Sequence, residues 1–311
     1  MRLVFCGTPQ FAVPTLHAVL QAGHEVSLVL TQPDRPGGRG MQLVTSAVKQ
    51  AALAAGLAIE QPEKIRKNEA LRERLEAIAP DAILVVAYGR IIPPWMLGLP
   101  RHGNLNLHGS MLPRYRGAAP IQWAVARGES VTGVTTMRLD EGLDTGDILQ
   151  QNEFAIGPDK TAEDLYPPMA HMGAQLMLET LEELEAGRLA PRPQDHERAT
   201  LAPILTREDG RMDFSRPARE TYNRWRGFTP WPGAWSMFGQ SKFTVSRMAP
   251  AAARHEVAAP GTLLVQAARL YLCCGDEGWV ELVEVQLEGR RSMLAAEFLR
   301  GHPIPEGARL G

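Results

Sequence analysis

The sequence predicts an α/β fold: a parallel sheet covered by helices on both faces, followed by a smaller β-rich part. Three observations predict it. Short apolar runs alternate with helical patterns through the first half of the chain. Glycine-bearing turns follow several of those runs. In the last third, short strand-like segments separated by Gly and Pro take over, the pattern of a small β-barrel or sandwich.

Taken in order, residues 2–6, 25–30, 82–87 and 104–107 read as buried strands. Residues 11–22, 45–56 and 68–79 read as the helices between them. Ligands of such sheets bind beyond the carboxyl ends of the strands. Gly7-Thr8-Pro9, Tyr88-Gly89-Arg90 and His108-Gly109-Ser110 lie at those ends. Gly7 is followed by Thr8-Pro9-Gln10-Phe11-Ala12, without the further glycines of a G-x-G-x-x-G turn. No nicotinamide or flavin dinucleotide is therefore expected, and no G-x-x-x-x-G-K-[ST] phosphate loop is present. Residues 31–41 form a polar loop longer than such connections usually are, which makes it a candidate binding loop.

Residues 161–188 read as helical, with Thr161 as N-cap and Asp164 three positions on. Pro167-Pro168 predicts a break or a fresh helix start, because proline suits only the first turn. Leu176, Leu181 and Leu184 would face the core. Residues 188–203 are rich in Pro, Arg and polar side chains without periodicity, as in a linker crossing the surface. A short helix over 217–226 precedes strands at 233–248, 261–265, 269–274 and 279–286. The expected organisation is a catalytic domain over 1–189, a linker over 190–206 and a C-terminal domain over 207–311.

The 311 residues are 44% hydrophobic and 22% charged, an ordinary soluble composition long enough for two domains. No run approaches the roughly 20 apolar residues of a membrane span, and the N-terminus has no signal-peptide pattern. Cys6, Cys273 and Cys274 have no framework spacing and cannot make a zinc cluster by themselves. The expectation is a cytoplasmic protein without membrane contact or metal. Residues 207–311 carry 14 Arg and Lys against 12 Asp and Glu, in a chain whose net charge is −2. That permits a basic patch on the C-terminal part without establishing nucleic-acid binding.

The chemistry concentrates in Asn106-Leu107-His108-Gly109-Ser110-Met111-Leu112-Pro113 and in Leu143-Asp144-Thr145-Gly146. Residues two apart on a strand face one side, so Asn106 and His108 can enter one pocket. An amide, an imidazole and a carboxylate can together bind a carbonyl oxygen, move a proton and orient the group that moves it. For acyl transfer to an amine, His108 would take the amine's proton and return it to the leaving nitrogen. Asn106 would hold the oxyanion, worth roughly 3–4 kcal/mol in comparable sites. Asp144 would orient the imidazole and raise its basicity. Taken singly, such residues are usually turn formers or satisfied polar groups, and the residues alone name no substrate.

Asn106-x-His108 followed by Ser110-Met111-Leu112-Pro113-x-x-Arg116-Gly117, with Asp144 downstream, resembles the signature of folate-dependent formyltransferases. The resemblance implies 10-formyl-tetrahydrofolate as donor and Asn106, His108 and Asp144 as the catalytic group. It also implies a Rossmann-like N-terminal domain and an OB-like C-terminal barrel. Three further segments select the branch whose acceptor is methionyl initiator tRNA: residues 5–12, residues 31–40, and Phe228-Thr229-Pro230-Trp231-Pro232-Gly233. The resemblance covers essentially the whole chain.

On that resemblance, Tyr88, Gly89, Arg90, Ile91 and Ile92 would hold the folate, with Ser110, Met111, Leu112, Pro113, Gly142 and Leu143. The long loop, with Arg35 and Arg39, would enter the tRNA acceptor end, and Arg247, Arg290 and Arg291 would contact phosphates. A monomer is expected. Met111 stands where Leu is more usual, a volume-conserving change, and Pro167-Pro168 occupies a stretch that is commonly continuous helix. The alternatives are a sugar-nucleotide N-formyltransferase using the same donor and an RNA-binding module without catalysis.

Overall fold

A computed structural model describes residues 1–37, 42–252 and 257–311. The chain divides into two compact units that interleave in sequence. The first comprises Met1–Pro120, Val131–Ala155 and Tyr166–Pro203; the second comprises Ile121–Ser130, Ile156–Leu165 and Ile204–Gly311. Two short segments before residue 189 thus cluster with the C-terminal residues.

The elements run β1 (Arg2–Gly7), a 3₁₀ turn (Gln10–Ala12), α1 (Val13–Gln21), β2 (Glu25–Leu30), β3 (Arg35–Gly37), β4 (Gln42–Val44), α2 (Ala47–Ala54), β5 (Ile59–Glu60), α3 (Glu69–Ile78), β6 (Ala82–Val86), α4 (Pro94–Leu97), β7 (Asn104–His108), α5 (Pro120–Ala126), β8 (Val131–Arg138), β9 (Ile148–Ala155) and α6 (Ala162–Glu185). The main sheet has the order β5-β2-β1-β6-β7-β8-β9. Strands β5 to β7 pair in parallel and β8 and β9 antiparallel, so the sheet is mostly parallel as expected.

Helices α2 and α3 begin where the sequence supplies caps. Ser46 accepts from the Lys49 amide and Asn68 from the Leu71 amide, each satisfying a free helix donor. Alternation along the strands sends Val4, Cys6, Ile83 and Val85 to one face, against Leu71 and Leu75 of α3 and Met96 of α4. Each such Leu contributes about 1.5–3 kcal/mol by leaving water. On the other face α6 comes so close to β7 that a Cβ on Gly173 would lie 2.5 Å from Leu107 Cδ2.

Helix α6 corrects one expectation. It is continuous from Ala162 to Glu185 with Pro167 and Pro168 inside it. The first turn is closed reciprocally: the Thr161 amide donates to Asp164 Oδ2 at 2.8 Å, and the Asp164 amide to Thr161 Oγ1 at 3.2 Å. Buried Leu165, Met169, Met177, Leu181 and Leu184 hold the helix face on either side of the prolines. Packing offsets the two missing N–H donors.

Residues 190–203 are mostly exposed, as composition suggested, and are tied to the first unit at particular points. Arg192 pairs with Ile148, and Leu201 bridges to Arg116. Gln194 and Ala202 are buried. Most of the other side chains of the segment face solvent.

The second unit holds α7 (Ala218–Phe228), β10 (Trp235–Phe238), β11 (Ser241–Pro250), β12 (Leu263–Gln266), β13 (Arg269–Cys273), β14 (Trp279–Leu287), β15 (Met293–Leu294) and α8 (Ala295–Gly301). Its antiparallel sheet has the order β10-β11-β14-β13-β12, with β15 paired to β14. The single strand expected over 233–248 is a hairpin, β10 and β11. Phe243, Leu270, Leu272, Val280, Leu282 and Phe298 form the core, with Tyr222 and Trp225 from α7. The buried Arg226 guanidinium donates to the carbonyls of Gly157 and Lys160 and to Asn223 Oδ1, fastening the turn before α6 to this unit.

Candidate active site

Strand β7 carries the site because of its alternation. Asn106 lies beside Val85 of β6 and Met137 of β8, and His108 lies opposite Thr135. Leu105 and Leu107 take the other face, so Asn106 and His108 share one side, as their spacing predicts. Asn104, on the same side, donates to the carbonyls of Met96 and Leu97 and fixes α4 there.

The loop after β7 is tied down by one buried hydroxyl. Thr135 Oγ1 donates to the Ser110 carbonyl at 2.6 Å and accepts from the Leu112 amide at 3.2 Å. Gln151 adds donations to the Leu112 carbonyl and to Thr135 Oγ1. Ser110 Oγ reaches the Arg114 carbonyl at 2.7 Å, closing the turn. The chain then doubles back through Tyr115, whose φ is +64°. Its amide meets Thr200 Oγ1 at 2.8 Å. The Arg116 amide donates to Thr200 O, and the Ala202 amide donates back to Arg116 O.

His108 meets this loop directly. Its Nε2 lies 2.8 Å from the Tyr115 carbonyl oxygen. A carbonyl only accepts, so Nε2 carries the proton and Nδ1 of the neutral ring holds the lone pair. Nδ1 stands 3.7 Å from Asp144 Oδ2, with both side chains largely buried. That is too far for a direct hydrogen bond and close enough for an ion pair once the ring is protonated. The backbone carbonyl of Tyr115, rather than Asp144 as expected, therefore sets the ring's orientation and tautomer.

Asp144 sits in a strained turn with φ +51°. The Gly117 amide donates to its Oδ2 at 2.8 Å, and Gln194 Nε2 donates to its carbonyl. Gly117 must be glycine: its φ is +121°, and a Cβ there would lie 2.6 Å from Ala202 O. Thus Asn106, His108 and Asp144 come together at the carboxyl edge of the sheet in the first unit. Among the described residues, no group of three or more His, Cys, Asp or Glu could hold a metal ion, and no helix is long and apolar enough to cross a membrane.

The residues expected around a folate divide into two kinds. Tyr88, Ile92, Ser110 and Leu112 are buried. Ile91 is 91% exposed and Leu143 63%, so both offer apolar surface. Gly89 takes φ +75°, and Gln32 Nε2 donates to the carbonyls of Tyr88 and Gly89. Met111 is half-buried against Gly133, where a Cβ would meet its sulfur at 2.5 Å. Pro113 accepts from the Thr200 amide, and the Gly142 amide donates to Asp140 Oδ1 at 3.0 Å.

Of the arginines expected to meet RNA, Arg35 is exposed on β3, and Arg39 lies outside the described residues. In the second unit, Ser246 and Ser292 share a hydrogen bond at 2.8 Å, which brings the strand of Arg247 beside Arg291. Arg290 and Arg291 are exposed, and Arg291 pairs with Glu297 at 2.6 Å. Sequence reasoning missed Tyr115, Thr135, Gln194 and Thr200. None has a motif signal, because each acts through hydrogen bonds to groups distant in sequence or through its own backbone.

The formyl transferase family model matches residues 1–181, and the model for the formyl transferase C-terminal domain matches residues 204–303. A methionyl-tRNA formyltransferase from Acidobacterium capsulatum is 65% identical over the whole of both chains. One from Koribacter versatilis is 55% identical, covering all of this chain and 99% of the relative. Among solved structures, a sugar 3N-formyl transferase aligns with TM-score 0.67 at 18% identity, over 94% of this chain and 99% of its own. HypX from Aquifex aeolicus in complex with tetrahydrofolic acid aligns with TM-score 0.63 at 19% identity, over 96% of this chain and 47% of its own. At these identities the structural likenesses concern the fold alone.

Proposed function

This chain belongs to the formyl transferase family, and from that premise we propose that it transfers a formyl group from 10-formyl-tetrahydrofolate to the α-amino group of methionyl initiator tRNA. The product is N-formylmethionyl-tRNA for translation initiation. The acceptor rests on full-length identity to relatives of that activity. The observation that carries the chemistry is the pairing of His108 Nδ1 with Asp144 Oδ2 across 3.7 Å, on the same strand edge as Asn106.

The acceptor reacts as its neutral amine, and His108 Nδ1, which holds the ring's lone pair, takes the proton this nitrogen sheds as it bonds to the formyl carbon. The Asp144 carboxylate stabilises the imidazolium so formed. The Asn106 amide donates to the formyl oxygen as negative charge develops on it. His108 then returns the proton to the donor nitrogen as its bond to the formyl carbon breaks. The balance is one C–N bond formed, one broken and one proton relayed.

The edge beside Tyr88 fits a heterocycle with hydrogen-bonding groups. Gln32 Oε1 and Arg90 Nε are buried there without a partner among the described residues, and exposed Ile91 and Leu143 supply apolar surface. Tyr88, Gly89, Arg90, Ile91 and Ile92, with Ser110, Met111, Leu112, Pro113, Gly142 and Leu143, would hold the folate, whose chemistry is to present an activated formyl group. In this reading the part over 207–311 binds tRNA through Arg247, Arg290 and Arg291, and the 31–41 loop, with Arg35 and Arg39, reaches the acceptor end. The protein acts as a cytoplasmic monomer.

Purified protein supplied with the folate donor is expected to formylate methionyl initiator tRNA and to leave an amino-sugar nucleotide unchanged. Formylation of the sugar alone would overturn the acceptor. Formylation of neither would overturn the reaction.

A further inference from the structure

Resting on that reading, we propose that Gln194 is a positioning residue for the reaction, holding the Asp144 carboxylate at His108. It lies in the irregular 190–203 segment and is 5% exposed. Its amide uses its full hydrogen-bonding capacity. Nε2 donates to the carbonyls of Asp144 at 2.9 Å and Gly146 at 2.7 Å. Oε1 accepts from Arg116 Nε at 3.1 Å and Nη2 at 2.6 Å.

These four bonds close a ring around Asp144. Gln194 holds the backbone of the Asp144 turn and the side chain of Arg116. The residue after Arg116, Gly117, donates its amide to Asp144 Oδ2. The backbone and carboxylate of Asp144 are thus each referenced to the 114–117 loop, one through Gln194 and one through Gly117. The same loop supplies the Tyr115 carbonyl that orients His108. One amide therefore sets the spacing between the His108 ring and the Asp144 carboxylate.

The ring matters because Asp144 is not in a relaxed conformation. Its φ of +51° lies where non-glycine residues rarely rest, and such a conformation persists only where the surroundings over-determine it. Arg116 is a buried cation whose guanidinium contacts are neutral: Gln194 and, at 3.1 Å, His196 Nδ1. Gln194 lets that guanidinium donate without drawing the Asp144 carboxylate away from His108. A carboxylate at position 194 would bind Arg116 and repel the two carbonyls. An apolar side chain would satisfy neither.

The test is a double-mutant cycle on full-length protein, following formylation of methionyl initiator tRNA. Gln194→Met removes all four bonds at similar volume. Gln194→Glu keeps the acceptor for Arg116 and removes the donors. Each is measured alone and combined with Asp144→Asn. For a positioning role, kcat falls about 10- to 100-fold in either single variant, while KM for both substrates stays within about two-fold. In the Asp144→Asn background the same change costs almost nothing further, because the group being positioned is already disabled. Equal losses in both backgrounds, or kcat within about two-fold of the parent, would overturn the proposal. If Gln194→Met does not fold, Gln194→Glu decides between the two outcomes by itself, and if neither folds the role is structural and the proposal fails. An inactive parent protein would instead sink the functional reading, so the two failures are distinguishable.

Discussion

Thr135 stands opposite His108 in the β7–β8 register, and its hydroxyl serves the Ser110 carbonyl, the Leu112 amide and the Gln151 amide at once. The strand that pairs with β7 thereby also shapes the loop that leaves it. Thr135→Val keeps the shape and strands these buried groups. A loss of about 1–3 kcal/mol is expected in urea denaturation, with a raised KM for the folate donor and a smaller change in KM for tRNA.

In the proposed mechanism Asn106 donates to the developing oxyanion, and Asn106→Ala removes that donor. It is expected to lower kcat about 10²- to 10³-fold. Asp144→Asn should cost about 10²- to 10⁴-fold. Circular dichroism and the melting temperature should stay near those of the parent, since neither side chain belongs to a core cluster. A kcat unchanged in either variant removes that residue from the mechanism.

Gly117→Ala adds a methyl 2.6 Å from the Ala202 carbonyl oxygen at a φ of +121°. We expect a loss of about 2 kcal/mol or more in stability and of most activity. Gly103, at φ +80° with open space around it, is the control: Gly103→Ala should lose stability while retaining turnover.

The Asp164 carboxyl is held below its ordinary value, chiefly by the Thr161 amide and also by the Thr161 hydroxyl, against the opposing effect of burial. A depressed carboxylate contributes stability above its unfolded pKa and loses it as pH falls through the folded one. Asp164→Ala should therefore cost about 1 kcal/mol at neutral pH. Denaturation midpoints of parent and variant should converge at pH values below the ordinary aspartate range. A gap that persists there would show that the loss is not electrostatic.

Burial pushes the Cys6 thiol far above the usual range and the Cys274 thiol up to about 12. The thiolate is the reactive form. All three cysteines are buried and free, so alkylation of the native protein should be slow and should accelerate with the unfolding transition. Fast modification without loss of structure would contradict this burial.

Much of this architecture is legible in the chain. The apolar runs of β1, β2 and β6 announce buried parallel strands, and Ser46 and Asn68 announce the helices they cap. The two-residue spacing of Asn106 and His108 already implies one face. Strands β8 and β9 are harder to read: Thr132, Thr135 and Thr136 are buried polar residues, and Gln150 to Glu153 look like loop composition. Pro167-Pro168 misleads because local propensity is overridden by packing on either side. Gln194 gives no signal at all, since its importance lies in two carbonyls about fifty residues away and one arginine further still.

The pairing of 192–202 with Ile148 and Arg116 has a consequence for how the protein is made. Synthesis proceeds from the N-terminus, so Asn106, His108 and Asp144 emerge before the residues that seat their loops. A nascent chain that has passed Asp144 but not Ala202 holds Asn106, His108 and Asp144 and lacks Gln194, Thr200 and the Ala202 backbone. The loops around them therefore gain their last hydrogen bonds only after residues through Ala202 have emerged, well after Asn106, His108 and Asp144 themselves.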